Sequence, residues 1–159
     1  MGHTVVALSR SDKKSEQLRR LGAKVTLDPN RPDWVAELKR QLEGRRVDLA
    51  VDNIGGSGFA QIVDSMGNLG KISVVGRLAG PVPEFNTGTL FFRRLRIGGV
   101  AVGSYTTAES RAAWDHIVAI LDSAGAKPVI DELFPFDQLP AAFARLEQGP
   151  MGKVLLKIN

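Results

Sequence analysis

A cluster of hydroxyl and cationic side chains follows the first apolar segment of the chain. Residues 3–8 are rich in β-branched side chains and predict a strand. The polar cluster that follows consists of Ser9, Arg10, Ser11, Lys13 and Lys14. Hydroxyl, guanidinium and ammonium groups all bind phosphate oxygens, so the cluster is a candidate phosphate pocket. An ordinary polar turn between a strand and a helix would have the same composition, and spacing alone leaves both interpretations open.

The end of this strand also bears on the choice of nucleotide. In dinucleotide-binding folds, the strand that carries the ribose contact ends in Asp or Glu when the cofactor is NAD. Neutral or basic residues at that position suit the 2′-phosphate of NADP. The strand here ends in Ser9 and Arg10. If a dinucleotide binds, these residues therefore favour NADP over NAD.

A second polar turn follows the apolar run that ends at Val51. Asp52 and Asn53 either bind a hydroxyl group of a ligand or cap the turn, and the sequence favours neither. The glycines that come next begin a GxGxxG phosphate fingerprint, but Gln61 stands at its last position. The turn therefore lacks the full fingerprint.

The histidines and the tyrosine offer no acid–base or metal chemistry by spacing. His3 and His116 have no Ser, Asp or metal-ligand partner at a suitable distance along the chain, and the sequence contains no cysteine. Tyr105 has Glu109, not a lysine, four residues later. We therefore predict no catalytic residue and no metal ligand in this chain.

Apolar segments of strand length alternate with stretches of helical spacing along the whole chain. The pattern predicts strands over residues 3–8, 24–27, 47–51, 72–75, 129–134 and 153–158. It predicts helices over residues 13–21, 33–42 and 59–66, the second with Trp34, Leu38 and Leu42 on one face. It also predicts a long helix that Thr106 or Thr107 caps and that extends to about Asp122, and a last helix capped by Asp137. Residues 67–70 and 77–86 are expected to interrupt regular structure. This alternation is typical of a doubly wound parallel α/β sheet, whose carboxyl edge binds ligands.

Length and composition fit one domain over residues 1–159. The chain is 43% hydrophobic and 24% charged, and it has no apolar run near the roughly 20 residues that cross a bilayer, so we expect no membrane association. The formal charge of +4 favours a small anionic ligand such as a nucleotide. The basic pairs lack interleaved aromatic residues, which argues against nucleic acid as a partner. The absence of cysteine is consistent with a cytoplasmic location.

Several segments in a fixed order carry a family resemblance. They are ALSRSDKK with LRRLGA, VDLAVDNIGG, GNLGKISVVGR, LFFRRLRIGGVAVGS, VIDELFPFDQLPAAFARLEQG and GKVLLKI. Together they resemble the medium-chain dehydrogenase/reductase superfamily, most of all its zinc-type alcohol dehydrogenase and quinone oxidoreductase branches. The resemblance covers essentially the whole chain and corresponds to the C-terminal part of such an enzyme. It implies a Rossmann-like sheet and the cofactor-binding part of an NAD(P)-dependent oxidoreductase.

The resemblance also implies which positions contact the cofactor. They are Ser9, Arg10, Lys14, Asn53, Ile54, Gly55, Val75, Gly76, Val100 and Val102. Ser9 stands where NAD-dependent relatives have the ribose-binding acid, which implies NADP, held by Arg10 and Lys14. The turn after Asp52 matches the ribose contacts, and the fourth predicted strand ends under the nicotinamide. The segment 100–104 matches the backbone that meets the carboxamide.

The family pattern extends beyond these residues. Its first strand, the GxGxxG turn after that strand, and a catalytic domain with zinc ligands or substrate loops are expected outside the chain, which would then be a truncated domain. Hydride transfer would require that catalytic domain, and the last strand, near residues 153–158, is expected at the edge that meets it. In the usual strand order the missing strand lies between strands 3–8 and 47–51. We expect that gap to be closed directly, filled by a partner chain or occupied by a segment that this sequence lacks.

Two other functions remain open. The region Leu90–Val102 spans the strand by which subunits of this family commonly pair edge to edge, so a homodimer is expected. A non-catalytic dimerisation module that has lost cofactor binding is therefore the main alternative. A flavodoxin-like nucleotide or phosphate binder also fits the pattern of strands and helices.

Overall fold

The structure is a computed structural model that describes residues 2–81 and 84–158. Its strands are β1 Val6–Leu8, β2 Val25–Leu27, β3 Val47–Asp52, β4 Met66–Val74, β5 Arg96–Gly99, β6 Ile130–Pro135 and β7 Lys153–Lys157. Its α-helices are α1 Asp12–Arg20, α2 Trp34–Gln41, α3 Gly58–Ser65, α4 Thr87–Arg93, α5 Thr107–Ser123 and α6 Leu139–Glu147. Every strand pairing within these residues is parallel, which confirms the predicted α/β class.

The strands form three sheets, and the chain divides into two compact units. Residues 2–105 hold the sheets β1–β2 and β3–β4–β5, and residues 106–158 hold the sheet β6–β7 with α5 and α6. Among the described helices, none is long and apolar enough to cross a membrane.

Two apolar clusters form the core of residues 2–105. Trp34, Leu38 and the strand β2 form the first cluster, and Phe59, Met66 and Ile72 belong to the second. The predicted apolar face of α2 is confirmed, since Trp34 and Leu38 are 2% and 3% exposed. Val47 and Ile62 pack against both clusters and so connect them. The indole Nε1 of Trp34 also donates to Gln61 on α3 at 2.8 Å.

The strand β4 is longer than predicted. Residues 67–70 were expected to separate a helix from a strand, but they lie inside β4, where Val47 pairs with Met66 and Leu49 with Lys71. The extra residues of β4 form a bulge, in which Leu69 has a φ of 61°. A Cβ at Gly70 would lie 2.9 Å from the carbonyl oxygen of Gly67, so the bulge requires glycine there.

The segment between β4 and β5 also differs from the prediction. Leu90 lies in the helix α4, not in a strand, and β5 covers only Arg96–Gly99 of the apolar region 90–102. The cause is local, because the Asn86 side chain caps α4 by accepting from the Gly88 N–H at 2.9 Å. The left-handed φ of 52° at Arg94 then ends the helix.

The unit 106–158 contains one confirmed cap and one wrong one. Thr106, one of the two predicted caps, forms a capping box with Glu109 at the start of α5. Hydrogen bonds from the Thr106 side chain and backbone lower the pKa of Glu109 below its usual value. The predicted cap Asp137 lies instead in a short 3-10 turn, and α6 begins at Leu139 with Pro140 in its first turn.

The inner edges of the two sheets in residues 2–105 are not joined. Among the described residues, β1 pairs with β2 alone and β3 pairs with β4 alone, so the expected direct closure of the gap is wrong. Leu49 and Val51 on β3 are 61% and 66% exposed. A partner chain or another segment in the gap stays a prediction.

An ion pair on β6 connects this strand to α6 and to the segment before β7. The carboxylate of Asp131 accepts from Arg145 of α6 at 2.7 and 2.8 Å and from the Met151 N–H at 2.8 Å. The Asp131 side chain is 10% exposed. We expect Asp131→Ala to lower the free energy of unfolding of this unit by about 2–3 kcal/mol, because a guanidinium and an N–H lose their acceptor.

Amide hydrogen exchange in β6 and β7 measures this change. Glu132→Ala is the matched control, because its carboxylate is 3.7 Å from Arg145 and 51% exposed. We expect the control to change the free energy by no more than about 0.5 kcal/mol. Equal exchange rates in the two variants would contradict the importance of the Asp131 pair.

Candidate functional site

The carboxyl ends of β3, β4 and β5 lie side by side. Asp52 is in register with Val74, and Val74 with Gly99. The ladder continues one residue further, since the Val75 N–H donates to the Asp52 carbonyl at 2.8 Å and the Val100 N–H donates to the Val74 carbonyl at 2.9 Å. The structure therefore brings the segments after three strands to one edge, where α/β sheets bind ligands.

The turn after β3 is organised by the side chain of Asp52. Its Oδ1 accepts from the N–H groups of Ile54 and Gly55 at 2.9 and 3.0 Å. Asp52 is 2% exposed, and its other oxygen, Oδ2, is buried with no hydrogen-bond partner among the described residues. One oxygen of the carboxylate thus caps the turn, while the other is available to a donor.

The same turn packs closely against the loop after β4. The Ile54 carbonyl accepts from the Ala79 N–H at 2.7 Å. A Cβ at Gly56 would lie 2.9 Å from the Ala79 Cβ, and one at Gly76 would lie 2.9 Å from the Asn53 carbonyl oxygen. These contacts leave no room for side chains between the turn and the loop.

Apolar side chains surround this edge. Ile54 and Val75 are 49% and 41% exposed, and Val100 and Val102 are 38% and 76% exposed. Val102 begins a short 3-10 turn, which continues to Ser104. The edge therefore combines backbone polar groups with exposed apolar side chains, a composition that suits an aromatic or heterocyclic ligand.

The candidate phosphate pocket after β1 is at the start of α1. The Ser9 hydroxyl donates to the Ser11 carbonyl at 3.2 Å, and Ser11 caps α1 by accepting from the Lys14 N–H at 3.4 Å. Arg10 is exposed, and neither Arg10 nor Lys14 forms an ion pair within residues 2–81 and 84–158. Asp12, in the first turn of α1, is the acid next to this pair of cations.

The ten predicted contact positions thus fall into two groups. Ser9, Arg10 and Lys14 lie after β1, and the remaining seven lie at the carboxyl edge of β3–β4–β5. Sequence reasoning left the role of Asp52 open and did not anticipate the contact of Ala79 with the turn. An acid three residues before a pair of glycines was the available signal for the role of Asp52.

The described residues do not fit a metal ion. No group of three or more His, Asp or Glu side chains that could hold a metal occurs in residues 2–81 and 84–158, and the sequence has no cysteine. His3 and His116 are both exposed.

Parallel strands, intervening helices and a glycine-bearing turn at the carboxyl edge define an α/β domain of the Rossmann type. The family model for zinc-binding dehydrogenases matches residues 1–123. The chain belongs to this family.

Known proteins similar to this chain are longer than it is. A zinc-type alcohol dehydrogenase-like protein of Schizosaccharomyces pombe is 30% identical over 99% of this chain and 46% of its own length. A solved candidate alcohol dehydrogenase of Sinorhizobium meliloti is 31% identical, with a TM-score of 0.86 over 99% of this chain and 44% of its own. A solved NAD-dependent alcohol dehydrogenase is 26% identical, with a TM-score of 0.83 over 99% and 45%. The chain therefore spans a little under half the length of these relatives.

The role of Asp52 in holding the turn can be tested by substitution. We expect Asp52→Ala to lower the free energy of unfolding of residues 2–105 by about 2–3 kcal/mol, because two N–H groups lose a charged acceptor. Asp52→Asn keeps one acceptor oxygen and should cost about half as much. Urea denaturation followed by the fluorescence of the buried Trp34 measures both.

Asp48→Ala is the control for this measurement, because Asp48 lies on the same strand and is exposed. Its effect should stay within about 0.5 kcal/mol. A similar loss in the Asp48 and Asp52 variants would show that the turn does not depend on the buried carboxylate.

Proposed function

We propose that the chain is the cofactor-binding part of an NADP(H)-dependent oxidoreductase of the alcohol dehydrogenase or quinone reductase type. The observation that carries this proposal is the convergence of the turns after β3 and β4 with the end of β5. Such a convergence at the carboxyl edge suits a dinucleotide. We place the protein in the cytoplasm, where such cofactors are available.

The residues of this edge suit the apolar and ribose parts of the cofactor. Asn53, Ile54 and Gly55 would lie beside the riboses, where the close packing of the turn keeps side chains out of the way. Val75 and Gly76 would support the nicotinamide ring, and the backbone from Val100 to Val102 would meet its carboxamide. NADP, when bound, supplies the nicotinamide carbon that gives or accepts a hydride.

The cations after β1 suit the 2′-phosphate. Arg10 and Lys14 have no ion pair among the described residues, so neither must leave an acid before it binds a phosphate. The Ser9 hydroxyl, held by Ser11, replaces the acid that would repel the phosphate. The solved NAD-dependent relative uses the cofactor that lacks this phosphate, and the absence of an acid at the end of β1 is our reason for preferring NADP.

Turnover requires groups that the described residues do not supply. They contain no group of His, Asp or Glu side chains that could hold a zinc ion. We therefore assign hydride transfer to this chain together with a catalytic domain of the kind that relatives carry.

Nucleotide preference tests the proposal. We expect the chain to bind NADPH about 10-fold more tightly than NADH, because the 2′-phosphate gains a charged hydrogen bond of about 1.5 kcal/mol or more. Arg10→Ala should remove this preference and leave the NADH affinity unchanged. Fluorescence titration of each nucleotide measures both effects.

Arg19→Ala is the matched control, since Arg19 is exposed at the other end of α1. It should bind both nucleotides like the unmodified chain. Equal affinities for NADPH and NADH in the unmodified chain would overturn the NADP assignment, and no binding of either would overturn the cofactor site.

A dimerisation module is the second candidate function, and one specific observation favours it. Among the described residues, β5 pairs with β4 on one side alone, and all its residues are exposed. Ile97 on this strand is 38% exposed. An unpaired edge with an exposed apolar residue can pair with the same strand of a second copy.

Sedimentation velocity tests the dimer. We expect a dimer that Ile97→Lys converts to a monomer, because the substitution places a charge in the paired edge. Leu21→Lys is the control, since Leu21 is 60% exposed at the end of α1 and should not change the mass. A monomer at micromolar concentration would contradict this second function.

A further inference from the structure

A cationic cavity lies at the amino ends of β3 and β4, opposite the candidate cofactor site. Its volume is about 450 Å³, and the residues that define it are Val35, Leu38, Lys39, Arg45, Arg46 and Arg93. We call it the arginine pocket. Arg46 directly precedes β3, whereas the cofactor-site turn follows the other end of the same strand. The two sites therefore share no residue.

Two guanidinium groups converge in the arginine pocket. Nη1 of Arg46 donates to the Asp64 carbonyl at 2.6 Å, and Nη1 of Arg93 donates to the same oxygen at 2.9 Å and to the Met66 carbonyl at 3.0 Å. Because both nitrogens bond to one oxygen, they are at most 5.5 Å apart, the sum of their two distances to it. Arg45 is anchored in a similar way, with its Nε donating to the Leu42 carbonyl at 3.3 Å.

The carbonyl groups at the end of α3 explain part of this arrangement. Arginines at a helix C-terminus satisfy unpaired carbonyls and interact favourably with the helix dipole. That role occupies one nitrogen of Arg46 and one of Arg93, whereas each guanidinium has five N–H donors. Four donors of Arg46 and three of Arg93 are therefore not used by these bonds, although the guanidinium groups are held in place.

The charges around the pocket are unbalanced. Within the part of the chain that the structure describes, Lys39, Arg45, Arg46 and Arg93 form no ion pair. Two acids line the pocket, of which Asp33 is bound by Arg31 at 3.0 and 3.2 Å and Asp64 is exposed. The close guanidinium groups repel each other, and a bound dianion would relieve that repulsion.

We propose that the arginine pocket binds a small organic phosphate. Converging guanidinium groups suit the several oxygens of a phosphate, which they can bind through two donors at once. Val35 and Ala36 line the pocket beside the cations and are not buried, so the phosphate carries an apolar organic group that contacts them. The site is independent of the proposed cofactor site.

Nuclear magnetic resonance titration of the whole chain tests this proposal. The probes are inorganic phosphate and phenyl phosphate at pH 7.5, each compared with sodium chloride at equal ionic strength. We expect saturable shifts of the Ser65 and Gly67 amides with both probes and none with chloride. Phenyl phosphate should bind at least threefold more tightly than inorganic phosphate, because its ring contacts the apolar side of the pocket.

Variants locate the binding site. We expect Arg45→Gln and Arg46→Gln to weaken phenyl phosphate binding at least fivefold, and Arg93→Lys to weaken it while keeping a cation at the end of α3. Arg19→Gln, on the exposed surface of α1, and Arg10→Ala, in the proposed cofactor site, should leave the Ser65 and Gly67 shifts unchanged. Arg10→Ala should weaken the binding of NADPH, so this variant separates the phosphate proposal from the cofactor proposal.

Three results would overturn the inference. They are shifts no larger than those in chloride, shifts confined to residues 9–14, and unchanged affinity in all three arginine-pocket variants. Equal affinity for the two phosphates would overturn the assignment of an organic group. Arg93→Lys keeps the test decisive if a glutamine variant fails to fold.

Discussion

The pairing of β4 with both β3 and β5 is the interaction on which the structure of residues 2–105 depends. Met66 and Ile72 on this strand are 0% and 2% exposed, so β4 contributes the centre of a core as well as the centre of a sheet. Its register aligns Asp52, Val74 and Gly99 at the carboxyl edge. At the other end, the Met66 carbonyl is one of the acceptors that hold Arg93. One strand therefore positions both the proposed cofactor edge and the arginine pocket, and a shift of its register would displace both.

Unlike β4, which is paired on both sides, β3 has an unpaired inner edge, and its residues lack the partners that the fold would ordinarily provide. Leu49 and Val51 are more than half exposed in a strand whose neighbour β4 is well buried, and an apolar edge of this kind favours pairing with another strand. The buried Oδ2 of Asp52 at the end of that edge supports the same view. A buried polar atom without a partner costs about 1–3 kcal/mol, which a donor from a neighbouring strand or from a ligand would offset. The exposed side chains and the carboxylate oxygen together favour an occupant between β1 and β3.

The sequence predicted those features that depend on neighbouring residues. The cap at Thr106 and the apolar face of α2 are local patterns, and both are confirmed. The bulge in β4 was not predictable, because it arises from pairing with β3, and glycines in a single segment resemble a turn. The carboxyl edge could be anticipated, since parallel strands end on the same side of a sheet. The arginine pocket could not, because Arg46 and Arg93 bind a carbonyl group 18 and 29 residues away.

The chain belongs to the zinc-binding dehydrogenase family, and the function proposed for its described residues is nucleotide binding. They hold no group of acids and histidines that fits a metal, whereas the carboxyl edge combines a closely packed turn with exposed valines. NADP carries a flat nicotinamide ring at one end and a doubly charged phosphate on the ribose at the other. In the proposed site, Val75 and Val100 would contact the ring, and Arg10 and Lys14 would bind the phosphate. Both proposed contacts concern binding, and neither supplies a proton or a metal. On this proposal, the choice of substrate depends on residues other than these.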